Sequence, residues 1–118
     1  MIGDLENARL SSGSYGVDGR IGVVAELMED LMARLRQEAD GCYSWSNGPG
    51  DVYADHSHSY EKILYCVSGS ITFTLVDGEI RLGPGDRMVL PPGTRHAALV
   101  GPNGCVCIEG RGRSMAPR

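Results

Sequence analysis

The segment His56–Lys62, HSHSYEK, holds two of the chain's three histidines one residue apart, and the third is His96. Neutral imidazoles coordinate divalent transition metals, and on a strand residues two apart share a face, so His56 and His58 can turn toward one ion. Glu61 would supply a carboxylate, but Lys62 follows it directly. Parity separates the two. In a regular strand Lys62 lies on the histidine face and Glu61 on the other, and Glu61 reaches the metal only if a bulge shifts the face by one residue. The candidate metal set is therefore His56, His58 and His96, with Glu61 admitted through a bulge.

A lysine on the inner face has several uses. Its ammonium could anchor an anionic ligand, and as a neutral amine it could ligate, accept a proton or form a Schiff base. It could also bend its head to solvent and do nothing. The same parity puts Tyr60 and Leu64 beside Lys62. Met88 precedes the corner at Pro91, and these four with Val100 are the candidate ligand pocket. Tyr43 and Trp45 share a face of an earlier strand, with Trp45 placed to close one end of a barrel.

A second segment, GDRMVLPPGTRH, runs from Gly85 to His96. Five residues separate Gly50 from the HxH pair and Gly85 from Pro91, and Pro91, Gly93 and His96 complete a PxG, two residues, His pattern. The two halves, with fifteen residues between Gly69 and Gly85, resemble the paired motifs of the cupin superfamily over roughly residues 42–110. The resemblance implies a double-stranded β-helix, or jelly roll, and a metal held by three histidines and a glutamate. Two positions depart from it. Lys62 stands where the family has its glutamate, and Val100 where it has asparagine.

The elements that must position these residues follow from patterning. VVAELMEDLMARLRQEAD spaces Val24, Leu27, Met28, Leu31 and Leu35 along one helical face, with Gly41 as a C-terminal stop. After it come short extended runs punctuated by Gly and Pro: CYSWS, VYADHSHSY, KILYCVS, SITFTLV, EIRL, RMVL, HAALV and CVCIEG. An Asp77–Gly78 pair marks a hairpin. Seven or eight strands at such spacing predict an all-β barrel with one amphipathic helix packed outside. The expected layout is an arm over 1–20, a helix over 21–40, the barrel over 41–110 and a frayed basic tail over 111–118, in a single domain.

Composition narrows the function classes. A net charge of −4 argues against a nucleic-acid surface or polybasic membrane attachment. No apolar run approaches the roughly 20 residues of a membrane-spanning helix. The opening residues lack the order of a secretory signal, so the expected compartment is cytoplasmic and Cys42, Cys66, Cys105 and Cys107 are expected as reduced thiols. The resulting reading is a protein that binds Zn, Fe, Ni, Mn or Cu and a small, anionic organic ligand. It would act as a metal-dependent dioxygenase, isomerase or similar enzyme. The competing reading is a non-catalytic small-molecule-binding or sensing module without essential metal. Homodimerisation is implied by the resemblance, through the outward apolar residues Ile63, Tyr65 and Val67, which would equally suit the cover of the helix.

Overall fold

The computed structural model describes residues 9–11 and 21–113. Strand β1 (Arg9–Ser11) is followed by helix α1 (Ile21–Glu38), then β2 (Ala39–Asn47), β3 (Val52–His56), β4 (Lys62–Leu75), β5 (Gly78–Leu82), β6 (Arg87–Leu90) and β7 (His96–Gly112). All pairings are antiparallel, in the order β1-β6-β4-β7-β2, with β3 added to β7 and β5 to β4. The remainder of the expected arm, and the tail beyond 113, lie outside the described residues.

Two long strands form the spine. β4 carries β6 along its first half and β5 along its second, while β7 carries β3 and then β2. Sequence patterning splits each of these strands in two, at Gly69 and between the runs HAALV and CVCIEG, where Gly104 lies. Both glycines instead sit inside continuous strands at positive φ, +71° and +75°. A Cβ on Gly69 would collide with the carbonyl oxygen of Gly104, so the paired strands approach this closely only where a side chain is missing. Register shifts between Cys66 and Ser68 and between Gly69 and Ile71 bend β4 here and reverse its parity. Leu64 and Cys66 face the barrel interior before the bend, and Ile71, Phe73 and Leu75 face it afterwards.

The outward face of β4 is also buried. Leu27, Leu31 and Leu35, four residues apart, press one side of α1 onto Ile63, Tyr65, Val67, Val89 and Ile108. Each fully buried leucine contributes roughly 1.5–3 kcal/mol. The helix thus takes the surface that the sequence left open to a partner. It stops at Glu38 without Gly41, whose φ of +62° belongs to the irregularity between Asp40 and Tyr43 in β2. The Arg113 guanidinium supplies the stop, donating to the carbonyls of Arg36, Gln37 and Ala39 at 2.8, 2.9 and 3.1 Å. The start of the expected frayed tail is therefore bound: Arg111 and Gly112 are in β7, and Arg113 also pairs with Asp40.

Candidate metal and ligand site

His56 ends β3, His96 begins β7, and the two are cross-strand partners. His58 lies beyond the end of β3, so it is not placed by strand alternation as its spacing suggested. The Pro91–Thr94 turn positions it instead. The N–H of Gly93, at a φ of +80°, donates to the His58 carbonyl at 2.7 Å, and the turn closes from Thr94 N to Pro91 O. The three rings pack with centroids 4.3 to 5.2 Å apart, and one ligating nitrogen from each falls within 4.8 Å of the others.

Two of the three rings, His56 and His96, are oriented for ligation by a backbone carbonyl. Nδ1 of His56 lies 2.7 Å from the Ala54 carbonyl and Nδ1 of His96 lies 2.9 Å from that of Thr94. A carbonyl accepts only, which fixes the proton on Nδ1 and leaves Nε2 as a lone-pair donor. The Nε2 atoms of His58 and His96 are buried with no hydrogen-bond partner among the described residues. An orphaned buried acceptor is costly, and a metal ion would satisfy it. Burial, then Lys62, His96 and His56, pulls the His58 pKa down to about 4. His96 is lowered too, chiefly by burial. Both rings are therefore neutral near pH 7, as ligands must be.

The rings form one end of a cavity of about 300 Å³, lined also by Tyr43, Trp45, Tyr53, Tyr60, Lys62, Phe73 and Glu109. Lys62 is the first residue of β4 and points inward, as parity predicted. Its Nζ lies 3.3 Å from Oε1 of Glu109, with both side chains buried. It does not bend to solvent. The Trp45 indole N–H donates to the same oxygen at 2.8 Å, and the Tyr43 hydroxyl donates to Oε2 at 3.0 Å. Desolvation and this carboxylate push the Tyr43 pKa up to about 12.

Among the predicted pocket residues, Lys62 and Tyr60 line the cavity. Leu64, Met88 and Val100 do not; they fill the barrel core behind it. Glu61 is not brought to the histidines. It lies in the non-strand segment between the end of β3 at His56 and the start of β4 at Lys62, and the one irregularity before it, between Tyr53 and His56, does not turn it inward. Its carboxylate lies against Gly112, where a Cβ would overlap it. Glu109 was missed. Its only sequence signal was an acidic residue in the apolar run CVCIEG, on the same strand face as Cys105 and Cys107. Those two thiols are buried and free, as are Cys66 and the half-buried Cys42.

Residues 45–102 match the model of the cupin domain family. The barrel superposes on KdgF from Halomonas sp. with a TM-score of 0.53 and 30% identity, covering 61% of this chain and 68% of that one. The chain is a cupin. A DUF861 family protein from Thermotoga maritima, 14% identical, shares the fold over 88% of this cupin and 98% of its own chain, with a TM-score of 0.58. Quercetin 2,3-dioxygenase of Bacillus subtilis (strain 168) is 41% identical over 54 residues. That stretch is 44% of this cupin but 16% of the dioxygenase, so the chain spans a small part of that relative.

Proposed function

We propose that this cupin binds a divalent transition metal through Nε2 of His56, His58 and His96, and a small organic anion in the adjoining cavity. The observation that carries the reading is the pair of buried, partnerless Nε2 atoms at the centre of a cluster of three convergent imidazoles. Three neutral nitrogen donors suit Zn, Fe, Ni, Mn or Cu. When bound, the metal supplies Lewis-acid or redox chemistry at its open positions. This chain's own residues shape the rest. Lys62 and Glu109 neutralise one another, so three histidines leave a divalent ion its full charge, which favours an anionic ligand. Glu109, itself held by Tyr43 and Trp45, fixes the Lys62 ammonium against the cavity wall, and Tyr53, Tyr60 and Phe73 supply flat apolar surfaces.

The similarity to a dioxygenase supports metal-dependent catalysis on such a ligand. A cytoplasmic site of action agrees with four free thiols, and no helix among the described residues is long and apolar enough to cross a membrane. We also read the chain as a homodimer, with the exposed cross-strand pair Val52 and Leu99 as the contact. The test of the metal reading is elemental analysis of freshly purified protein beside His96→Ala. Near-stoichiometric transition metal is expected in the wild type, with affinity at least about tenfold weaker in the variant. Equal, substoichiometric metal in both proteins would sink it.

A further inference from the structure

A second cavity, of about 320 Å³, adjoins the first and shares Tyr43, Tyr60 and Glu109 with it. Its other lining residues include Asp40 and Arg111. Asp40 is engaged by Arg113, with Nε and Oδ1 2.9 Å apart. Arg111 makes no ion pair among the described residues. Its guanidinium lies over the Tyr60 ring, 4.7 Å from the centroid. The pairing register explains why this is unusual. Lys62 on β4 and Arg111 on β7 are direct cross-strand partners, so two cations stand side by side on one sheet face. Like charges directly opposite destabilise a sheet. Glu109, two residues before Arg111 and on the same face, neutralises only one of them, and it is given to Lys62. On its other side Arg111 faces Asp40, its cross-strand partner on β2, but that carboxylate is held by Arg113. The Arg111 guanidinium is thus left without an ion pair among the described residues, on a planar fork already oriented by an aromatic ring.

We propose that Arg111 forms a second anion subsite and that the ligand is an organic acid with two anionic ends, of the dicarboxylate class. One end meets the histidine-held metal and the other the Arg111 guanidinium, with the apolar middle along Tyr43 and Tyr60. Arg111 then determines specificity through bidentate recognition of a carboxylate. The inference rests on the histidine cluster being the ligand-binding end of the cavity.

The test titrates the protein calorimetrically, with and without added Zn, against straight-chain dicarboxylates from malonate to adipate and the monocarboxylate of equal length. At least one dicarboxylate should bind about tenfold tighter than its monocarboxylate. Arg111→Gln, an exposed substitution whose melting temperature should match the wild type, should abolish that preference and leave monocarboxylate affinity unchanged. Equal affinities in every pair, no binding of either class, or a preference that persists in Arg111→Gln would overturn the proposal. Failure to load Zn would sink the metal reading and this proposal with it, whereas Zn that loads at the histidines without a dicarboxylate preference would overturn the Arg111 subsite alone.

Discussion

Losing one partner of the Lys62–Glu109 pair should do more damage than losing both. A buried ion pair contributes little net stability, but a buried charge stripped of its partner costs roughly 3–5 kcal/mol. The cost should be unequal between partners. Lys62→Met leaves Glu109 two donors, Trp45 and Tyr43, whereas Glu109→Gln leaves the ammonium with no counter-charge shown in contact. Urea denaturation should rank Glu109→Gln as the less stable single variant, with the Lys62→Met/Glu109→Gln double variant recovering most of the loss. A double variant no better than Glu109→Gln would remove the argument. The pair also marks how far sequence reaches at this scale. His56 and His58 were legible as a pair because their spacing is local, and His96 only through the paired cupin motifs. Lys62 was placed on the right face by counting alone, but its carboxylate comes from the far end of the chain, and no spacing announces a contact that only the β4/β7 register creates.

At the scale of elements, the end of α1 is tied to the barrel by Glu38. Its carboxylate accepts from the Tyr65 hydroxyl at 2.7 Å and from Arg87 Nε at 3.2 Å, and Arg87 Nη2 forms an ion pair with its other oxygen. Burial alone would raise the Glu38 pKa, yet the Arg87 and Tyr65 hydrogen bonds outweigh it and hold the carboxyl below its ordinary 4.5. A depressed folded-state pKa means that the stabilisation is complete above the unfolded value and is lost as pH falls through the folded one. Thermal melts from pH 7 downward should therefore show a wild-type decline, beginning near 4.5, that is shallower in Glu38→Gln. Parallel curves for the two proteins would refute the tie. The helix itself was legible from its leucines, but its ending was not. Gly41 carried the local signal for a stop, whereas the cap is an arginine more than seventy residues later in the sequence.

For the whole molecule, the barrel and its external helix were readable, since turn chemistry and alternation are local and the two cupin motifs bracket the site. The continuity of β4 and β7 was not, because a glycine at positive φ looks the same within a bent strand as at its end. Self-association belongs to this scale as well. With Ile63, Tyr65 and Val67 covered by α1, the exposed apolar residues among those described include Val52 and Leu99, 71% and 53% accessible, which stand together as cross-strand partners on β3 and β7. Light scattering should give twice the 12.6 kDa chain mass, and Leu99→Lys should halve it. A wild-type monomer at every concentration tested would rule the dimer out.

The pairing of β4 with β7 also bears on how the chain comes to be folded. Synthesis delivers Lys62 at the start of β4 and Glu109 only with β7, the last of the described strands. Until β7 is laid down along β4, any compact intermediate must either keep Lys62 in water or bury a bare ammonium at a cost of several kcal/mol. The barrel therefore has little reason to close early around an incomplete wall. A single lysine, set where a carboxylate is customary, makes completion of the last strand a condition for sealing the interior.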